Sequence, residues 1–195
     1  LVKDTFTARK LLMRAFGLDL AEPVGLPVNT RRTLSEAVKR SGGSPRFIEF
    51  DDDLGFAPDS PGLDDYRLVW AEPLGGMPAP EPPAGKTMFV DYGFTLPAPL
   101  GTDVPLRGQA TVWGLHHRDM EHSEGALIAF HGQPGLYDQA LALLSEDEAG
   151  EPDLALAQCV RLAGREGLAA RIARVQAQAR EGMDAAVGLP TPAVA

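Results

Sequence analysis

The stretch Gly85-Lys86-Thr87-Met88-Phe89-Val90-Asp91-Tyr92-Gly93-Phe94 decides the fold. Thr87 to Val90 are apolar or β-favouring residues that run straight into a carboxylate, Asp91, after which Gly93 lets the chain turn away. The pattern reads as a buried strand with an acid at its C-terminal end. In an open parallel sheet, groups at the carboxyl ends of strands border the ligand crevice, so Asp91 is the first candidate for a binding role. The alternative for the same residue is a side chain that only caps the following turn.

Working outward, Phe6, Ala8, Leu11, Leu12, Ala15 and Phe16 fall at helical spacing, with Asp4 or Thr5 as cap and Gly17 as stop. Pro23 to Val28 is a short apolar run, and Thr33-Leu34-Ser35-Glu36 has the form of a capping box opening a helix to about Arg40. Gly42-Gly43 ends that helix, and Arg46 to Phe50 alternates as a strand that stops at Asp51-Asp52-Asp53. Tyr66 to Ala71 reads as a further strand. Pro73 to Gly85 holds five prolines and three glycines, which leaves little room for a crossover helix. Ala110 to Leu115 and Ala126 to Phe130 are two strands that pair as a hairpin around a polar, histidine-bearing loop. From Leu136 onward the pattern is helical, over Leu136 to Leu144, Leu154 to Leu162, and Gly167 to about Met183. The expectation is an α/β fold with a mostly parallel central sheet flanked by helices and a helical C-terminal third. Residues 1–187 would form a single α/β domain and residues 188–195 a flexible tail.

The 195 residues, 44% of them hydrophobic, can bury a full core. A net charge of -9 argues against non-specific attraction to nucleic acid or to an anionic membrane. No apolar run approaches the roughly 20 residues of a membrane helix, and no signal-peptide order opens the chain. Leu1 is not an initiator methionine, which leaves room for sequence before it. The single cysteine, Cys159, allows no internal disulfide and fits a reducing, cytoplasmic compartment. It lies in an apolar helical segment, where a buried and inert thiol is expected.

Taken in order, these pieces resemble the large domain of fold-type-I pyridoxal-phosphate (PLP) enzymes, specifically the DegT/DnrJ/StrS sugar aminotransferases. Asp4 to Leu18 resembles the family's Ser-Gly-Thr-Ala-Ala helix, Val24 to Thr30 its second-strand motif, and Ser41 to Asp51 its Gly-x-x-Pro-x-Phe-x-Asp strand. Phe89-Val90-Asp91 resembles the strand that ends in the cofactor's acid, and Ser123-Glu124-Gly125-Ala126 the Glu-Gly turn after the cofactor lysine. The similarity spans about residues 4 to 130. The resemblance implies that Asp91 pairs with the protonated pyridine nitrogen, that the assembly is a homodimer, and that the family's second, smaller domain lies beyond this chain.

Several matching positions depart from that chemistry. The phosphate of the cofactor would sit on the N-terminus of the first helix, where the chain has Asp4, Thr5 and Phe6. Like charges about 4 Å apart at an effective dielectric near 20 repel by about 4 kcal/mol. The position that stacks on the pyridine ring is Arg31, and the position of the family's glutamine is Phe94. The Schiff-base lysine, six residues before Glu124, is replaced by Arg118, and no lysine follows Lys86. Arginine stays protonated and forms no imine. The leading expectation is therefore a shortened aminotransferase-like domain with no bound cofactor, acting as a non-catalytic binding or interaction module.

The enzyme alternative is a PLP- or PMP-dependent relative acting on nucleotide sugars, with His116-His117 near the lysine position and His117 as base. A second alternative is a metal site, because His116, His117, His122 and His131 fall within sixteen residues alongside Glu121 and Glu124. Their spacing matches no standard metal pattern, so no residue is assigned as a ligand. Asp51, Asp52, Asp53, Asp59, Asp64 and Asp65 do not follow the order of a calcium loop.

Overall fold

A computed structural model describes residues 1–49, 62–73, 79–92, 107–114, 125–131 and 133–150. The acidic run at Asp51 to Asp59, Phe94, the loop bearing His116, His117, Arg118, Glu121, His122 and Glu124, Cys159, the two C-terminal helices and the tail 188–195 lie outside the described residues.

Helix α1 spans Thr5–Phe16, capped as its sequence predicts: Asp4 is extended and its carboxylate accepts from the Thr7 N–H, while Gly17 closes the helix at φ 72°. Strand β1 (Pro23–Pro27), helix α2 (Arg32–Arg40) and strand β2 (Ser44–Ile48) form a parallel unit. Strands β3 (Leu68–Ala71), β4 (Thr87–Tyr92), β5 (Ala110–Gly114) and β6 (Ala126–Phe130) follow, and then helix α3 (Pro134–Leu143). The sheet order is β2-β1-β3-β4-β5-β6, parallel throughout except for the antiparallel β5–β6 hairpin.

Some boundaries differ from expectation. The second strand ends at Ile48 rather than Phe50, because its register is set by β1, from Pro23 opposite Ser44 to Pro27 opposite Ile48. The third begins at Leu68 rather than Tyr66, because a single 3-10 turn at Leu63–Asp65 leads into it. The capping box at Thr33 does not form: the N-cap of α2 lies two residues earlier, at Arg31, with no side-chain cap. The Thr33 hydroxyl instead accepts a hydrogen bond from Arg9 Nη1 at 2.9 Å.

The period-2 alternation of β4 sorts its side chains onto two faces. Phe89 joins Leu12, Trp70 and Val112 in the larger core beneath the helices, whereas Met88 and Val90 join Val69 and Ala71 in a second cluster on the other face. Asp91 shares the parity of Phe89 and so faces the helices. Trp70 and Phe89 meet edge to face at 5.2 Å, and Phe16 of α1 meets Phe89 at 6.1 Å. Burying each of these large apolar side chains contributes about 1.5–3 kcal/mol. The N-terminal residues are stitched to the sheet where Val2 exchanges backbone hydrogen bonds with Ala126 at 2.9 and 2.8 Å. That contact brings the start of α1 to the edge where the parallel strands end.

At the opposite edge, Gly108 has φ 78°, and a Cβ there would collide with the carbonyl oxygen of Met88. The close approach lets Gln109 extend the ladder, its N–H donating to Met88 O at 2.8 Å and its Oε1 accepting from Met88 N at 2.6 Å. Gly108→Ala should lower stability by about 2 kcal/mol through backbone strain and steric overlap. Thermal denaturation checks this, and an unchanged melting temperature would contradict the close approach.

Candidate functional site

Strand order reverses between β1 and β3, because the chain steps outward to β2 and then returns to the other side of β1. Such a switch point opens a crevice at the carboxyl ends of the parallel strands. Four groups from distant parts of the sequence meet there: Thr30 and Arg31 after β1, Glu72 after β3, Asp91 near the end of β4, and Arg9 reaching in from α1.

Glu72 is buried. Its Oε2 accepts from the Thr30 hydroxyl at 2.8 Å and from the Arg31 N–H at 3.0 Å, and Arg31 Nε lies 3.3 Å from Oε1. The residue at the family's ring-stacking position is thus engaged with a carboxylate of the next strand.

Asp91 pairs with Arg9. Arg9 Nε donates to Asp91 Oδ2 at 2.5 Å, and the two side chains are 1% and 0% exposed. Arg9 Nη1 donates to Thr33 Oγ1, while Nη2 is buried and finds no acceptor. Arg9 escaped the sequence reading, although a signal existed. On a 3.6-residue period Arg9 stands in line with Thr5, Leu12 and Phe16, within the stripe that packs on the sheet. A cation in that stripe calls for a buried acid opposite it. Glu72 had a comparable signal, an acid directly after the wholly buried Leu68–Ala71 strand.

At the start of α1 the Asp4 Oδ1 accepts from the Thr7 N–H at 2.6 Å. A carboxylate therefore holds the helix N-terminus at the place the resemblance gives to a phosphate. On the far face Tyr92 stacks on Trp113 at 6.2 Å, its hydroxyl accepts from the Ala79 N–H at 3.1 Å, and burial pushes its pKa up.

Of the four histidines expected together, His131 alone is among the described residues. His131 follows β6 and stands beside Gln109, whereas the ends of β5 and β6 that bound residues 115–124 are at the other edge. A five-residue strand separates the two edges by roughly 17 Å. His131 Nε2 is 2.9 Å from the Thr111 hydroxyl. No group of three or more metal-ligating side chains forms among the described residues, and no described helix is long and apolar enough to cross a membrane.

No protein-family model matches the sequence, and no curated protein is similar to it in sequence. Solved structures are similar in fold. The S. venezuelae protein DesV, determined in complex with a ketimine intermediate, is 19% identical with a TM-score of 0.71, over 97% of this chain and 57% of that one. A DegT/DnrJ/EryC1/StrS aminotransferase from Brucella abortus is 14% identical with a TM-score of 0.70, over 93% and 58%. NtdA from Bacillus subtilis, with bound cofactor PMP, is 14% identical with a TM-score of 0.57, over 82% and 42%. The fold is therefore that of the PLP-dependent sugar aminotransferases, as the sequence resemblance implies. The chain spans 57% and 58% of the first two structures and 42% of the third.

Removing one partner of a buried ion pair leaves an uncompensated charge and costs about 3–5 kcal/mol. Arg9→Met and Asp91→Leu should each destabilise by about that much in urea denaturation, and the double variant should lose far less than the sum. Additive losses would mean that the two charges do not depend on each other. A second outcome concerns His131, whose pKa is lowered by burial. Below the ordinary histidine value near 6.5 the unfolded chain takes up the proton first. Stability should thus be complete above about pH 6.5 and fall as pH drops towards the lowered folded value. Measuring stability against pH for His131→Gln checks this, because the variant should lose that slope.

Proposed function

We propose that this chain is a non-catalytic binding or interaction domain on the sugar-aminotransferase scaffold, holding no PLP or PMP. The Arg9–Asp91 ion pair carries the reading. A strand-end carboxylate serves such a cofactor by accepting the N–H of a protonated pyridine ring. Here a permanently charged guanidinium already donates to that carboxylate, within a buried contact.

Two further features support the same conclusion. Asp4 caps α1 with a carboxylate, which would repel a phosphate bound at that helix end. Arg118 matches the family's lysine, and no lysine follows Lys86 in this chain. The residues present do not fit the cofactor. Self-association as a homodimer belongs to the proposal through the resemblance, and a reducing, cytoplasmic compartment through the single cysteine.

The competing reading is catalysis as a PLP- or PMP-dependent enzyme on nucleotide sugars, favoured by the shared fold and by Asp91 standing at the strand end. PMP separates the two readings, because unlike PLP it cannot condense with surface lysines. Titrated to millimolar concentration against the 195-residue chain, PMP should give no saturable change in absorbance or heat. Saturable binding that is lost in Asp91→Asn would overturn the proposal.

A further inference from the structure

We infer that the exposed face of α3 is the docking site of this chain's own C-terminal segment, residues 154–183. The inference is independent of the preceding reading, because it concerns the helical layer and not the crevice at the strand ends.

Helix α3 is apolar on more sides than it buries. Leu136, Tyr137, Ala140, Leu141 and Leu143 lie along it, yet only Leu136 and Ala140 are buried. Leu141 is 56% exposed, Tyr137 48% and Leu143 38%. Tyr137 and Leu141 are four residues apart and so form one exposed stripe. A helix that is apolar all round is normally covered all round.

Connectivity supplies the occupant. Arg14 donates both to Leu143 O at 3.1 Å and to the Glu148 carboxylate at 3.2 Å, so the chain doubles back beside the end of α3. Gly150 follows two residues on, its N–H donating to Leu1 O at 3.3 Å. Beyond it the sequence runs on to Ala195, and Leu168, Ile172 and Val175 repeat within it at helical spacing. As a flexible tether the stretch from Gly150 to Leu168 spans roughly 23 Å, more than the ~15 Å length of a ten-residue helix such as α3. A tethered segment meets the stripe at an effective concentration in the millimolar range.

Charge selects the same occupant. Residues 133–150 contain Asp138, Glu146, Asp147 and Glu148 and no basic residue. Of these acids only Glu148 has an ion-pair partner among the described residues, Arg14. Residues 154–183 contain five arginines against Glu166 and Glu181. An apolar stripe beside unpaired acids is thus matched by a segment that combines an apolar stripe with excess arginine. A second copy of α3 would bring acid against acid instead.

Hydrogen exchange on the 195-residue chain, read by mass spectrometry, tests the docking. Ile172→Asp should raise exchange of the α3 amides by about tenfold while β4 stays protected. Leu141→Asp should do the same to residues 167–183, and pairing it with Ile172→Lys should restore the protection of both. A covalent readout decides the matter even where a buried charge loosens the whole fold. In a Cys159→Ser background, a short bismaleimide should join Leu141→Cys to Ile172→Cys within one chain. Indifference of α3 to Ile172→Asp, protection lost on dilution because a second copy is the occupant, or crosslinks formed only between chains would each overturn the inference.

Discussion

The contact between Arg9 and Asp91 constrains everything at the carboxyl edge of the sheet. The two residues are 82 positions apart and lie on a helix that precedes the sheet and on one of its inner strands. Desolvating two charges costs several kcal/mol per ion, so the pair is weak evidence for net stability. Its effect is on geometry. Asp91 faces the helices because Phe89 does, and α1 must present Arg9 at one angle to meet it. Through Thr33 the same guanidinium fixes the first turn of α2. One side chain therefore sets the relation of two helices to β4.

The switch-point crevice is furnished twice with an acid and an arginine. Glu72 ties the segment after β1 to the end of β3, and Asp91 ties α1 to β4. In each case the cation comes from the chain itself. A crevice of this type offers a bound molecule the unpaired donors and acceptors at strand ends. Here each acid faces a cation of the chain, while Arg9 Nη2 and Glu72 Oε1 are buried without a hydrogen-bond partner.

The sequence was most legible where structure is local. Asp4 and Gly17 bracket α1 because capping chemistry acts over a few residues, and the β4 run and the β5–β6 hairpin follow from period and turn residues. Legibility failed where a distant partner decides. Thr33 has the right residue type for a capping box, but its hydroxyl is taken by Arg9, so α2 starts earlier. Ser44 and Pro45 join β2 because β1 extends beside them, which their own composition does not reveal. Asp91 was identifiable from its strand, whereas its partner was not, since no local pattern links positions 9 and 91.

The separation of core from edge lets one scaffold carry different residues at its strand ends. Leu12, Trp70, Phe89 and Val112 are buried beneath the helices, and none of them needs a cofactor to remain so. Residues at the strand ends can change while that core keeps the chain folded, which is why fold alone does not fix function. Arg9 breaks this separation. It is as deeply buried as Leu12, yet its guanidinium ends at Asp91, so it belongs to the core and to the crevice at once. A change that restored an unoccupied acid at Asp91 would also have to fill the volume of a buried arginine. The internal ion pair is thereby held in place by packing as well as by charge, and neither partner can change alone without a loss of stability.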